Sequence, residues 1–334
     1  MKVIIPVAGV GTRLAPFTYT LPKVLLPVAG KPMLGHTLDK LKELRDVSEV
    51  IFIIGHLGEL IREYVRDNYN FKASYIEQTE RLGLGHAIHL AREICLLNPE
   101  PVLIVLGDTL FEIKGRIEMD PQADGLIAVK SVDDPKRFGI AEVEGDLITR
   151  LVEKPEQPKS NLAIIGVYYF KNTVLLFECL DEIIRKNIRT KNEFQITDAM
   201  QLMLDKHARL KAIEIEAWYD CGKTETLLST NRELLRQSGS VNHGKVVNSV
   251  IIPPVNIDEQ TEIENSVIGP YVSVTGAKIK NSVIRDSIIN RDSTIENTIF
   301  SGSLVGQGAS IIENFKQFNI GDSSQYITTG SEIK

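Results

Sequence analysis

The last quarter of the chain repeats itself, and that repeat limits its fold more than any other feature. Asn-Ser-Val-Ile stands at 248–251, 265–268 and 281–284, and Asn-Thr-Ile-Phe at 297–300, so the unit recurs after 17, 16 and 16 residues. Within and between units, aliphatic residues lie six apart: Ile257 and Ile263, Ile268 and Val274, Ile289 and Ile295, then Ile299, Val305 and Ile311. A hexad supplies one inward aliphatic per short strand, and three hexads close one triangular coil. The pattern predicts a left-handed parallel β-helix of hexapeptide repeats over residues 239–334, with coils that run slightly short. Ser238-Gly239-Ser240 reads as the linker before it.

Residues 1–238 follow a different rule. Val3–Val7, Val50–Ile54, Val102–Leu106 and Leu126–Val129 read as strands, the first three almost unbroken in apolarity, as interior strands covered on both faces are. Between them, Leu34, Leu38, Leu41 and Leu44 recur at helical spacing. So do Leu57, Ile61, Tyr64 and Val65, and then Ala87, Ala91, Ile94 and Cys95. Further strands are expected at Leu147–Val152, Ala163–Tyr169 and Leu210–Ile215, and a helix from Thr224. Strands alternating with helices predict an α/β fold with a doubly wound, mostly parallel, Rossmann-like sheet. At 334 residues, two domains are the ordinary outcome.

The segment after the first strand carries chemistry. In Gly9-Val-Gly11-Thr12-Arg13-Leu14, a glycine turn lets backbone N–H groups approach phosphate oxygens with no Cβ in the way. Alone, such a turn also suits any tight strand–helix junction. Thr12 and Arg13 follow at once and Pro22-Lys23 comes ten residues later, and an Arg fork with a Lys point charge suits a polyphosphate. The dinucleotide fingerprint is broken, because Leu14 replaces its third glycine and residues 29–31 (Ala, Gly, Lys) offer no acid for a ribose. That disfavours a Rossmann oxidoreductase. Asp108 closes an apolar run at a strand's carboxyl end, where open α/β sheets bind ligands; capping a following helix is its plainer use.

These motifs resemble the opening of the sugar-1-phosphate nucleotidyltransferases. The likeness runs on through Gln78 and Leu82-Gly83-Leu84-Gly85-His86-Ala87, Leu106-Gly107-Asp108, Phe138-Gly139, Glu153-Lys154-Pro155, Gly166 to Tyr168, Glu193 through Thr197-Asp198, and Trp218-Tyr219-Asp220. With the repeat and the ending Ile320-Gly-Asp-Ser-Ser-Gln325, it is nearest to the long form of the glucose-1-phosphate thymidylyltransferases. The resemblance implies transfer of a nucleotidyl group from a nucleoside triphosphate, dTTP favoured, to a sugar 1-phosphate, glucose 1-phosphate favoured, with release of pyrophosphate. The alternatives are a UTP-dependent uridylyltransferase and a bifunctional or non-catalytic nucleotide-sugar binder. Arg13, Lys23, Asp108 and Lys154 become the catalytic candidates. Asp108 and Asp220 become ligands of Mg²⁺, a hard cation that takes carboxylate, phosphate and water oxygens. Gly9, Gly11, Thr12, Gln78, Gly83, Gly139, Glu153, Gly166, Lys191 and Trp218 become substrate-binding candidates. Glu153 would accept sugar hydroxyls while Lys154 meets the sugar's phosphate. As strand neighbours pointing to opposite faces, the two are not expected to pair. Lys191 replaces an Arg common in the family and cannot offer a two-pronged grip. Thr197-Asp198 is expected to cap the helix through Met200 and Met203.

The rest of the composition excludes more than it proposes. A net charge of −6 argues against a general nucleic-acid binder, and no apolar run nears the ~18 residues of a membrane span. The apolar start is cut by the glycine turn, with no cleavage site after it, so no secretory signal is expected. Cys95, Cys179 and Cys221 are odd in number and widely spaced, which suggests neither a disulfide framework nor a zinc site, but a reduced, cytoplasmic protein. His86 and His89 lie one turn apart without a third ligand. His243 is the only imidazole in the tail, leaving little for acyltransferase chemistry there. The tail is instead expected to be structural, offering flat faces for homo-oligomer formation.

Overall fold

A computed structural model describes residues 1–44, 46–112 and 120–314, so the terminal motif at 320–325 lies outside the described residues. The chain divides into two compact units, with the boundary between Ser240 and Val241.

The first unit is an α/β domain. Its strands of four residues or more are β1 (Lys2–Pro6), β2 (Glu49–Ile54), β3 (Ala73–Glu77), β4 (Val102–Val105), β5 (Thr109–Glu112), β6 (Gly125–Ser131), β7 (Gly139–Glu144), β8 (Leu147–Glu153), β9 (Leu162–Phe170), β10 (Leu210–Glu214) and β11 (Ala217–Asp220). The helices are α1 (Met33–Lys42), α2 (Gly58–Asn68), α3 (Leu84–His89), α4 (Arg92–Leu97), α5 (Thr173–Arg185), α6 (Ile196–Asp205) and α7 (Thr224–Ser238). Nine strands form one sheet in the order β3-β2-β1-β4-β9-β6-β10-β8-β7. From β3 to β4 every pairing is parallel, and β10 lies parallel to β6. The other half is mixed, because β9 follows the β7–β8 hairpin and enters antiparallel to both β4 and β6. Strands β5 and β11 stand outside this sheet as an antiparallel pair.

Alternation along the central strands explains the double winding. Val3, Ile5, Val50, Phe52 and Ile54 pack with Leu34, Leu38, Ile61 and Val65 of α1 and α2. Their neighbours Ile4, Ile51 and Ile53 pack with Ile88, Phe177, Leu180 and Met200 of α3, α5 and α6. A period-two strand that is apolar at every position has to be covered on both faces, and burying each such side chain contributes ~1.5–3 kcal/mol. The helical expectations are trimmed at their ends. Leu44 lies beyond α1 and is 42% exposed, and Leu57 sits in the left-handed region just before α2. The stretch from Ala87 to Cys95 is split into α3 and α4. Among the described residues, no helix is long and apolar enough to cross a membrane, and all three cysteines are free and buried.

The second unit is a parallel β-helix. Strands of two or three residues stack into three parallel sheets, and each circuit of the three makes one coil. Ile257, Ile263, Ile268, Val274, Ile279, Ile284, Ile289, Ile295 and Val305 fill its interior. Counting Phe300, which packs against this interior, their spacing is five or six residues, which reconciles coils of 15 to 17 with hexads. One aliphatic departs from the hexad reading: Ile299 points outward, 79% exposed, and Phe300 takes its interior place. The corners carry an asparagine ladder. Asn248 donates to Asn265, Asn265 to Asn281 and Asn281 to Asn297, at 2.7, 3.3 and 3.0 Å. All four have positive φ, which Asn tolerates better than most residues.

Candidate active site

The glycine turn after β1 does two separate things. A Cβ at Gly9 would meet nothing within 4 Å, so the backbone there borders open space. Gly11 has φ +70°, and a Cβ on it would fall 2.8 Å from Cβ of Lys23. Only glycine allows the turn to close on Lys23 in this way. Thr12 and Arg13 then open a single 3₁₀ turn, with Arg13 exposed. Lys23 begins another such turn, and its Nζ donates to Oδ2 of Asp108 at 2.5 Å.

Asp108 sits between β4 and β5, just past the carboxyl end of the sheet. The next element along the chain is a strand, so Asp108 caps no helix. In the β5–β11 pair, Asp220 is directly opposite Thr109, which places the two aspartates at the same end of that pair. Both line one cavity of about 620 Å³. Oδ1 of Asp220 accepts from the N–H of Gly222 at 2.9 Å. Any Cβ at Gly222 would crowd that oxygen and the Arg13 guanidinium at 2.8 and 3.3 Å, so a bare backbone lets the acid and the cation share the space.

The same cavity is lined by Gly139, Glu153, Lys154, Gly166 and Trp218. Glu153 ends β8, and its Oε2 accepts from the Thr197 hydroxyl at 2.8 Å. A Cβ at Gly139 would lie 2.9 Å from that oxygen, so the glycine admits the carboxylate. Contrary to the strand-alternation argument, Lys154 does pair with Glu153, with Nζ 3.3 Å from Oε1. The strand has already ended, and φ +44° at Lys154 turns its side chain back onto its neighbour. Thr197-Asp198 does not cap α6, which begins after Gln195 with no side-chain cap. Thr197 serves Glu153 instead, while Asp198 Oδ1 accepts from the Thr190 hydroxyl at 3.1 Å. Burial pushes the Asp198 carboxyl above its ordinary pKa, and the nearby Glu153 charge acts in the same direction.

Gly166 has φ +88° and lies against Leu106, whose Cδ1 would be 2.5 Å from any Cβ there. Trp218 stacks edge-on with Phe138 at 5.2 Å between centroids. Tyr168 is buried on the cavity wall, where desolvation and the Glu153 charge raise its phenol pKa. Burial likewise pushes the Cys221 thiol up to about 12, leaving it an inert packing group behind the aspartates.

Gln78 and Gly83 form a neighbouring cluster, joined to the cavity through Leu84. Gly83 has φ +112° and a Cβ there would clash with the Phe194 carbonyl oxygen at 2.6 Å, so its freedom serves chain packing. Lys191 is not brought in; it is exposed on the turn closed by Thr190 and Glu193, with φ +55°. His86 and His89 do not converge on a metal, for His86 contacts Gln78 and His89 contacts Asp181. Arg137 and Gln195 line the cavity and were not predicted. Arg137 sits in a run of charges and Gln195 one residue before α6, and nothing local separates either from ordinary solvated residues.

Open α/β sheets bind their ligands beyond the carboxyl ends of the strands, and here that edge carries cations and a pair of acids. The nucleotidyl transferase family matches residues 2–237, and the chain belongs to it as a sugar-1-phosphate nucleotidyltransferase. It is 34% identical over 255 residues to the low-salt glycan biosynthesis nucleotidyltransferase Agl11 of Haloferax volcanii, covering 74% of this chain and 69% of that one. Similarity to the glucose-1-phosphate thymidylyltransferase of Streptomyces antibioticus is 33% identity over 303 residues, 82% of each chain. The bifunctional protein GlmU of Methanococcus aeolicus is 33% identical over 79% of this chain, which spans only 62% of that protein's length. Among solved structures, a UDP-glucose pyrophosphorylase complexed with UDP-glucose superposes with a TM-score of 0.59 at 27% identity, covering 71% of this chain and 98% of that one.

Proposed function

We propose that this nucleotidyltransferase joins dTTP to glucose 1-phosphate. The observation that carries this reading is the gathering around one cavity of Arg13, the Lys23–Asp108 pair, Asp220 and the Glu153–Lys154 pair. A phosphate oxygen of the sugar phosphate attacks the α-phosphorus; that P–O bond forms as the bond to the bridging oxygen breaks, and pyrophosphate leaves with the electron pair. The nucleophile is already an anion near neutral pH, so no general base is needed. The protein's task is to hold two polyanions in line and offset their charge. Arg13 would grip the departing pyrophosphate, Lys23 would sit by the α-phosphate, and Lys154 would bring in the sugar phosphate. Glu153, steadied by Thr197, would accept sugar hydroxyls.

Asp108 and Asp220 suit a divalent cation, and Mg²⁺ in particular. Their oxygens are hard donors, and Asp108 already draws an ammonium group to within 2.5 Å. Among the described residues no cluster of three or more ligating side chains exists, so phosphates and water would complete the shell, as Mg²⁺ prefers. Bound there, Mg²⁺ would supply Lewis acidity and screen the phosphate charges.

The 82% mutual coverage with the Streptomyces antibioticus protein supports thymidylyl transfer and glucose 1-phosphate. The likeness to a UDP-glucose pyrophosphorylase supports the second reading, uridylyl transfer. Thymine and uracil differ by one methyl, worth ~1–3 kcal/mol in an apolar pocket. The test is pyrophosphate release with Mg²⁺ and a panel of triphosphates and sugar 1-phosphates. The first reading predicts the highest kcat/KM for dTTP with glucose 1-phosphate; a preference for UTP would replace it with the second.

A further inference from the structure

The short hairpin that follows Lys23 carries an inference that rests on the reading of Lys23 as a phosphate-binding group. Pro27–Val28 pairs antiparallel with Lys31–Pro32. The two-residue turn between them has φ +48° at Ala29 and +80° at Gly30, the signs that a type I′ turn requires. Glycine adopts such a φ freely, whereas the Cβ of Ala29 strains the backbone there.

Two helices hold the strained turn. Asn231 of α7 is fully buried, and its Oδ1 accepts from the Ala29 N–H at 2.8 Å, although the two residues lie 202 apart in the chain. An N–H can only donate, so the amide atom facing Ala29 is the oxygen. One residue earlier, the Val28 carbonyl accepts from Nε2 of His36 on α1 at 2.9 Å.

The same stretch of α7 also touches the acidic side of the site. Thr230, next to Asn231, accepts from the Cys221 thiol at 3.7 Å, and Cys221 directly follows Asp220. At the base of the hairpin, Met33 N–H donates to the Leu26 carbonyl at 3.2 Å, and Leu26 N–H donates to the Lys23 carbonyl at 3.1 Å. Covalent and hydrogen bonds therefore run without a break from α7, through the turn, to the backbone of Lys23, whose ammonium meets Asp108.

We propose that Asn231 is a positioning residue that holds Ala29 in its strained turn and so sets Lys23 against Asp108 in the geometry that turnover needs. A strained backbone persists only while its surroundings over-determine it. Without the Asn231 acceptor the Ala29 N–H loses its partner while the strain remains, and the turn relaxes toward negative φ. Lys23 then keeps its charge but not its place. The loss falls on kcat, because the sugar phosphate is held from the other side by Glu153 and Lys154.

Steady-state pyrophosphate release by the full chain, per molecule of folded protein, tests this. Asn231→Ala is expected to lower kcat about tenfold and to leave KM for glucose 1-phosphate within about twofold of wild type. Adding Ala29→Gly relieves the strain, since Gly-Gly is a favoured type I′ pair, and is expected to restore most of that kcat. Ala29→Val strains the turn while leaving Asn231 in place; it is expected to reproduce the loss, and it decides the matter if Asn231→Ala does not fold. Lys23→Ala is the control for the underlying reading. If Lys23→Ala kept the wild-type rate, Lys23 would have no part in turnover and that reading would fall together with the proposal. If Lys23→Ala lost the rate while Asn231→Ala or Ala29→Val kept kcat, the positioning role alone would be overturned. It would be overturned likewise if Ala29→Gly restored thermal stability to Asn231→Ala without restoring kcat.

Discussion

The two units solve folding in opposite ways. In the β-helix, one solution is repeated: an interior aliphatic every five or six residues and an asparagine at the same corner of successive coils. In the α/β unit almost nothing repeats. Gly11 admits Lys23, Gly139 admits Glu153, and Gly166 admits Leu106, each a separate arrangement. Repetition spreads stability over interchangeable positions, as in other stacked repeats. Singular contacts concentrate function in positions that cannot be exchanged. Substitutions in one unit should therefore change stability, and in the other turnover.

The largest effect expected is on chemistry. Lys23→Ala or Asp220→Asn should lower pyrophosphate release on the order of 10²–10³-fold, with thermal unfolding nearly unchanged. If either instead lowered stability and left turnover intact, the contrast would be broken. Next comes a core truncation in the repeat: Ile279 is fully buried, and Ile279→Ala should cost about 2–5 kcal/mol in denaturant unfolding while the purified enzyme keeps its KM values. Smaller is Thr197→Val, which strips Glu153 of its hydroxyl donor. Hydrogen bonds to charged groups contribute ~1.5–3 kcal/mol, so kcat/KM for the sugar phosphate should fall roughly tenfold or more, with nucleotide binding unchanged by titration. Smallest is Asn281→Ala, which breaks two exposed hydrogen bonds of the ladder, to Asn265 and Asn297, and leaves Ala at a positive φ. It should cost about 1–2 kcal/mol, and a similar loss from Asn265→Ala would support the equivalence of the coils.

The same contrast decides how much was legible in the sequence. The β-helix could be read because its period is its structure; only Ile299 departed, since Phe300 beside it is the residue in register with the buried Ile284 of the preceding coil. The strands of the α/β unit were legible because two-sided burial makes them apolar throughout, whereas helix ends at Leu44 and Leu57 depend on local backbone geometry that periodicity does not encode. In the site, Arg13 and Asp108 stood out through their places beside strands, whereas Asp220 was marked only by the family resemblance. The Glu153–Lys154 pair did not, because alternation holds only while the strand lasts and a positive φ at Lys154 ends it. Thr197 resembled a helix cap by its position, yet its partner lies 44 residues away on β8. Gly83 resembled a ligand-facing glycine, while the atom it makes room for belongs to Phe194. Contacts distant in the chain leave no local trace.

The central claim is that the carboxylate beside Lys23 helps the protein join two polyanions. Pyrophosphate release by Asp108→Asn, measured against the wild-type protein with dTTP, glucose 1-phosphate and Mg²⁺, tests it most directly. The account predicts a fall on the order of 10²–10³-fold with an unaltered circular dichroism spectrum. A rate within a few fold of wild type would contradict it.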